Sequence, residues 1–467
     1  MFDFSKPSNI NSFTASERLV SHAKRRMGSE KLWDIDGIMW TPVDISAIIL
    51  RKLIKDAERE LGPIKEAVVT VPAHFSGYQR QLTIQAGEQA ALTTVSVVNE
   101  PVAAALSYVL RQVVLDQDRD YLDALGDKST ILVYDLGGGT FDLSIVQYDE
   151  KRLRVIATSG EEKLGGIDWD QHLIDMVADP LTLIHGDLRE DSHALARLAH
   201  QVERAKRALS SRESTDVMIQ YGGWEEEFHI ERREFEKRTA SLVERTKKLT
   251  EGLLKSCNMS WLDLDAIIPV GGSIRMPMID RTIKEFETER AQQRKAHGLP
   301  PDNFIRKVSP DLSIAQGAAL FAGMIQDGDE TQRDVGGSVA QRLSNYSMEN
   351  VTPTRLGVVL SDDLGRRFVH EIIPRNTPLP ASASLQLRTT RHNQQRATVR
   401  IVEGEGEFDT HAKIVCKCTI DGLPPGLPKS SNFDVNVMYD ADGLLHLVAV
   451  HRDTGRLASV SAVHSSE

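Results

Sequence analysis

Apolar positions change their spacing along the chain, and the change divides it into two regimes. Up to about Gln326, short apolar runs alternate with stretches whose apolar residues recur every three or four positions. That alternation of strands and helices marks an α/β architecture. Ile45, Ile48, Ile49, Leu53 and Ala57 form one stripe and predict a helix over 42–61, capped by Thr41 with Pro42 in its first turn. Buried strands are expected at 67–71, 95–98 and 266–270, and three consecutive ones at 131–136, 143–148 and 152–157. Helical spacing predicts helices at 102–110, 168–178, 192–210, 232–255, 278–295 and 313–326.

From about Val351 the period falls to two, as in Leu385-Gln-Leu387, Val399-Arg-Ile401 and Phe433-Asp-Val435-Asn-Val437. Turn signals separate these runs, among them Asp442-Gly443 and the Pro/Gly-rich stretch 422–428. An antiparallel all-β module over 351–467 is expected. The stretch 327–350 is polar, contains Gly336-Gly337 and predicts a linker.

Composition narrows the class. The 467 residues carry 56 Lys and Arg against 67 Asp and Glu, a net charge of −11, which argues against a nucleic-acid-binding face. No apolar run reaches membrane length, and Met1 to Phe13 has no apolar signal core. The three cysteines include only Cys416 and Cys418 at close spacing, a weak metal signal. A reduced, cytoplasmic protein without membrane partners is expected.

The stretch Ile131-Leu-Val-Tyr-Asp135-Leu-Gly137-Gly138-Gly139-Thr140-Phe-Asp142-Leu-Ser-Ile-Val146 carries the chemistry. A strand enters three glycines and a second strand leaves them, so the glycines sit at a hairpin tip. A dinucleotide fingerprint or Walker loop would need a helix there. Glycine amides at such a tip can approach phosphate closely, because no Cβ stands in the way. Thr140 adds a hydroxyl, and Asp135 and Asp142 place carboxylates able to hold hydrated Mg²⁺ or orient a water. The plain alternative is a hairpin whose aspartates satisfy turn amides. Glu100, at the carboxyl end of a strand, suits a ligand site or simply complements a helix N-terminus. Gly271-Gly272 would let a flat base or ribose lie on the backbone, or form an ordinary turn. Glu203, Lys206, Arg207 and Ser210 share one helix face that suits a purine, although a solvated stripe has the same pattern.

In order along the chain, these stretches resemble the seventy-kilodalton heat-shock chaperones of the DnaK type. The likeness runs through Ala23 to Gly28, Val69 to Phe75, Gln79-Arg80-Gln81, Asn99-Glu100-Pro101, Asp135 to Asp142, Gly165-Gly166, Glu203 to Ser210, Gly271 to Arg275 and Pro310-Asp311. It continues through Val351-Thr-Pro353, Leu356-Gly357, Arg375 to Pro378, Asn393-Gln394 and Tyr439 to Gly443. The resemblance implies an α/β two-lobed actin-like ATPase domain followed by an antiparallel all-β sandwich that grips extended apolar peptides. The domain expectation is 1–326 for the nucleotide-binding part (lobe I within 1–130, lobe II about 131–310, a return helix at 311–326), a polar linker at 327–350 and the sandwich at 351–467.

By the same resemblance Lys24 is the catalytic lysine near the γ-phosphate, Thr140 contacts that phosphate, and Glu100 helps position Mg²⁺ and water. Asp135 and Asp142 hold the metal through water, and Gly137, Gly138 and Gly139 cradle phosphate. Glu203, Lys206, Arg207, Ser210, Gly271, Gly272, Ser273, Arg275 and Asp311 surround the adenosine of ATP or ADP. Pro72 and Arg80 pass the nucleotide state to the sandwich, where Leu360, Leu387, Ala397 and Val399 line the peptide pocket. Unfolded clients, a J-domain co-chaperone and a nucleotide exchange factor are the implied partners.

The chain also departs from the family pattern. No Asp-Leu-Gly-Thr loop precedes Lys24, so a truncated start, or a relative with impaired hydrolysis, is expected. The family's helical lid is expected to be missing after the β module, and the polar 334–350 in place of a short apolar linker is expected to weaken the coupling. Three functions are thus weighed: an ATP-driven chaperone, a non-hydrolysing interaction module, and a sugar or acid kinase. The β module argues against the kinase.

Overall fold

The computed structural model of the protein describes residues 20–115, 128–149, 151–325, 343–361, 366–404, 413–421, 423–451 and 457–464. The helix Pro42–Leu61 starts where its cap predicts. Asp44 N–H donates to the Thr41 hydroxyl at 3.2 Å, and Thr41 N–H donates to the Asp44 carboxylate at 2.9 Å. The helix expected over 232–255 is two, Arg232–Arg238 and Ala240–Ser256. Between them the buried Thr239 turns its hydroxyl back onto the Phe235 carbonyl at 2.9 Å, which competes with helical continuation.

The three consecutive strands are Lys128–Leu136, Phe141–Asp149 and Arg152–Glu161, an antiparallel meander at the centre of a five-stranded sheet. Ala266–Val270 adds in parallel beside the first. Both faces are covered, which is why the sequence there is continuously apolar instead of alternating. Ile131 and Val133 pack under the helices Glu100–Leu115 and Ser313–Ile325. Leu132, Tyr134 and Leu136 pack with Trp169 and Val202, from the helices Gly166–His185 and Ser192–Leu209. A parallel pair, Glu66–Val71 with Thr94–Asn99, forms a smaller unit with the helices Pro42–Leu61 and Gly77–Gln89.

Part of the expected linker has structure. Residues 326–342 lie outside the described residues, but Ser347–Glu349 is a strand running parallel to Arg152–Glu161 as the fifth member of the sheet. Leu343, Tyr346 and Met348 pack against the apolar cluster beneath that sheet. Three spaced apolar residues suffice as anchors, and the polar residues around them hide the pattern.

Among the described residues the β module has eight strands. Leu457–His464 pairs with both Lys413–Asp421 and Leu445–His451, and so joins its two halves. Leu356, Val358 and Ile401 of one half share a buried cluster with Leu385, Val435 and Val437 of the other. The module is therefore a β sandwich.

Helices Glu100–Leu115 and Ser313–Ile325 approach so closely that a Cβ on Gly317 would lie 1.7 Å from the Ala103 carbonyl oxygen. Gly317→Ala is expected to destabilise the protein by about 1–3 kcal/mol through overpacking, read as a lower midpoint in denaturant unfolding. An unchanged midpoint would contradict this packing.

Candidate functional site

Asp135 and Asp142 face one another across the hairpin, in register, and Gly137 N–H closes the tip onto the Thr140 carbonyl at 3.1 Å. Paired positions on an antiparallel ladder put their side chains about 5 Å apart, so two carboxylates there repel. Asp142 is completely buried. Its Oδ1 accepts from Ala73 N–H at 2.8 Å and faces His74 Nδ1 at 2.9 Å. Its Oδ2 is buried with no hydrogen-bond partner. Burial pushes the Asp142 carboxyl up, but the charge and hydrogen bond of His74, aided by Thr140 and Lys24, hold it below the usual value. Asp135 goes the other way. Burial first, then the charges of Glu100 and Asp142, lift it well above the carboxylate range against the pull of Lys24.

Lys24 stands on the short turn Ala23–Arg26, half exposed, and pairs with Glu100 at the start of helix Glu100–Leu115. Burial would lower the lysine, yet the Glu100 charge and hydrogen bond outweigh it and raise it above its ordinary value. Next to it, Arg25 donates from Nε to the Gly139 carbonyl at 2.6 Å and pairs with Asp168.

The glycine loop is braced from two more sides. Gly166 N–H donates to the Gly137 carbonyl at 3.0 Å and Ile167 N–H to that of Gly138 at 2.8 Å. These are N-terminal amides of a helix, otherwise without intrahelical partners. The Ser273 hydroxyl donates to the Gly137 carbonyl at 2.8 Å. Close approach requires glycine at 165, where a Cβ would fall 2.6 Å from Gly139 C, whereas a Cβ on Gly138 meets nothing within 4 Å. The tip of the loop is thus open.

A cleft of about 800 Å³ opens over that tip. Of the residues singled out from the sequence, Lys24, Glu100, Gly137, Gly138, Gly139, Thr140, Glu203 and Lys206 line it. Asp135 and Asp142 lie buried in the hairpin strands that carry the tip. Arg207, Ser210, Gly271, Gly272, Ser273, Arg275 and Asp311 are outside the lining. Gly271, at φ +87°, backs the hairpin instead: a Cβ there would lie 2.8 Å from Asp135 Oδ1. Arg275 pairs with Asp311, Arg207 with Glu203, and the Ser210 hydroxyl with the Lys206 carbonyl. Lys206 is held at 2.7 Å by both Asp170 and the Gly166 carbonyl. Sequence reasoning misses His74, Arg25 and Asp170 as site residues. The first two sit inside motifs read for their neighbours, and Asp170 follows the Gly165-Gly166 turn one helical turn on.

Away from the cleft, Pro72 is buried and its carbonyl accepts from Phe75 N–H at 3.2 Å. Arg80 is buried as well, donating to the Phe75 carbonyl at 3.2 Å and to Asn99 Oδ1 at 2.5 Å. Burial pushes its guanidinium down to about 10, against the opposing charges of Glu403, Tyr439 and Asp442 of the sandwich. Gly77 also meets the sandwich, where an added Cβ would lie 3.1 Å from the Gly443 carbonyl oxygen. A second contact joins Arg375 to the Thr158 carbonyl at 2.7 Å and Thr158 N–H to Asn376 Oδ1 at 3.2 Å. Ala397 and Val399 are buried in the sandwich cluster, with Leu360 and Leu387 packed against it. Among the described residues, no helix is long and apolar enough to cross a membrane.

The family model described as Hsp70 protein matches residues 14–467. Chaperone protein DnaK of Thermosipho africanus is 36% identical over 95% of this chain and 69% of its own length. That of Thermotoga neapolitana is 37% identical over 95% and 70%. That of Halobacterium salinarum is 35% identical over 98% and 67%. Similarity at this level along nearly all the sequence shows that the chain belongs to the Hsp70 family: it is an ATP-dependent molecular chaperone, a heat-shock ATPase of protein folding with an actin-like ATPase domain and a β sandwich.

Proposed function

We propose that ATP is bound and hydrolysed at the hairpin cleft, with its terminal phosphates against the amides of Gly137, Gly138 and Gly139 and the hydroxyl of Thr140. The observation that carries this reading is the pair Asp135 and Asp142, buried in register below an open glycine tip, with Lys24 and Glu100 at its rim. Lys24 supplies the cation near the γ-phosphate, where charge shifts during transfer, and Glu100 keeps it charged and in place. Asp135 and Asp142 hold Mg²⁺ through water. Three carboxylates, those of Glu100, Asp135 and Asp142, bear on one ammonium, and Asp142 keeps a buried unpartnered oxygen, so the donor set suits a divalent cation. When bound, Mg²⁺ screens phosphate charge and organises water.

In the same reading the adenosine lies toward Glu203 and Lys206. Arg207, Arg275 and Asp311 join its surround when their present ion pairs rearrange, and Ser210, Gly271, Gly272 and Ser273 complete it. The ATPase part spans 1–326, a connection spans 327–350 and the sandwich spans 351–467. Extended client segments bind at the sandwich near Leu360, Leu387, Ala397 and Val399, and Pro72 and Arg80 couple the two parts. The strand pairing of Ser347–Glu349 supports that coupling, despite the polar sequence around it. A J-domain co-chaperone and an exchange factor complete the cycle in a cytoplasmic setting.

Lys24→Ala is expected to lower single-turnover ATP hydrolysis by about 10²–10³-fold, with ADP affinity, read by calorimetry, held within a few-fold. Undiminished turnover would sink the assignment. Asp135→Asn should weaken the Mg²⁺ dependence of turnover, measured by titrating the metal at fixed ATP; an unaltered titration curve refutes a metal role. Arg80→Ala should leave basal hydrolysis intact while reducing ATP-induced release of a labelled peptide by about 5–150-fold, the usual span of a coupling energy. Normal release would remove Arg80 from the coupling route.

A further inference from the structure

His74 stands out as a side chain at the cleft that the proposed reaction does not use. It follows strand Glu66–Val71 and lines the cleft, with its ring mostly buried. Nδ1 lies 2.9 Å from Asp142 Oδ1, the oxygen that also accepts Ala73 N–H at 2.8 Å. Two donors from neighbouring residues therefore grip one oxygen of a carboxylate that is otherwise without water contact. Nε2 is buried without a hydrogen-bond partner, 4.0 Å from Glu162 Oε1. The ring stands edge-on to Phe75 at 6.0 Å between centroids, which limits its rotation.

We infer that His74 is a positioning residue for ATP hydrolysis, acting through Asp142: its Nδ1–H fixes Oδ1 and thereby the orientation of Oδ2. This rests on the assignment of the hairpin cleft as the hydrolytic site. A carboxylate rotates about its Cβ–Cγ bond over a broad, two-fold profile, so one backbone donor alone does not set the plane of the group. A second donor at the same oxygen, on a ring held by packing, does. The other oxygen, Oδ2, is buried below the glycine tip, on the carboxylate that the Thr140 hydroxyl also approaches, and its direction follows from where Oδ1 is held. Facing a carboxylate oxygen, Nδ1 is a donor in either charge state of the ring. The role asked of His74 is a hydrogen bond in a fixed place, which an uncharged amide can reproduce.

The test uses the amide pair that separates the two ring nitrogens. Asn places its donor near Nδ1, and Gln places its donor near Nε2. His74→Gln and His74→Ala are expected to lower kcat for ATP by about 10–100-fold, the range seen when an outer partner of a site ligand is lost. Their KM for ATP and their ADP affinity should stay within about three-fold, since the group acts on the reacting geometry. His74→Asn should keep kcat within about three-fold of the unsubstituted chain. If Ala proves poorly folded by circular dichroism, the Asn and Gln variants, both polar and close in size, carry the comparison. Equal kcat in Asn, Gln and the unsubstituted chain overturns the inference, as does a loss common to Asn and Gln. Failure of the cleft assignment looks different: Lys24→Ala would then hydrolyse ATP normally, whatever the His74 variants do.

Discussion

Two carboxylates held face to face inside a protein repel, and the arrangement around Asp135 and Asp142 is built to contain that repulsion. The ladder that pairs them cannot separate them without breaking the central strands. The surroundings divide the burden instead. Asp142 receives two donors on one oxygen and is held below its ordinary pKa, while Asp135 is pushed upward by burial first and then by the charges of Glu100 and Asp142. Lys24 is the compensating charge that reaches all three, and its raised pKa is the same interaction seen from the cation. A substrate that brings a divalent ion would relieve the same imbalance. The site therefore stores, in its resting form, a demand for positive charge that matches its proposed ligand.

Close backbone packing is the second constraint, because it keeps the loop from relaxing away from that strain. Gly165 lies against Gly139, Gly271 against Leu136 and Asp135, and Gly160 opposite Asp142 with room for no side chain. Helix amides, a serine hydroxyl and the Arg25 guanidinium take the carbonyls of Gly137, Gly138 and Gly139. All three carbonyls turn inward to partners, and Gly138 remains exposed at the tip. The peptide units are thus committed on their oxygen side, which is the state an anion-binding loop needs.

The sequence reveals this hairpin readily, since glycines between two apolar strands and paired aspartates are local signals. The central strands, the cap at Thr41 and the helices that cover the sheet follow from periodicity and end residues. Other features depend on distance in the chain and leave no local trace. His74 looks like any residue after a strand until it meets Asp142, and Arg25 looks like a surface cation until Gly139 and Asp168 close on it. The break at Thr239 is a side chain bonding its own backbone, which a helical stripe spanning both halves conceals. Ser347–Glu349 reads as linker because it borrows its partner strand from residues near 152. The adenosine-side residues share motifs and helix faces as expected, yet they spend their charges on one another: Arg275 on Asp311, Arg207 on Glu203 and Lys206 on Asp170.

That pairing bears on how the two parts of the protein work together. Strand Arg152–Glu161 holds Ser347 against its first residue, meets Asn376 of the sandwich at Thr158, and sets Gly160 opposite Asp142. A single strand thus touches the connecting segment, the sandwich and the glycine hairpin within ten residues. The second route runs from Asp142 through Ala73 and His74 to the Phe75 carbonyl, and from there to Arg80 beside Glu403 and Tyr439. Both routes begin at the same buried carboxylate. In the proposed coupling, a change in what Asp142 must balance would act on the strand and on the 72–75 segment together, because packed elements move as units instead of deforming continuously. A strand already in the sheet and a buried arginine against the sandwich thus join the two parts physically.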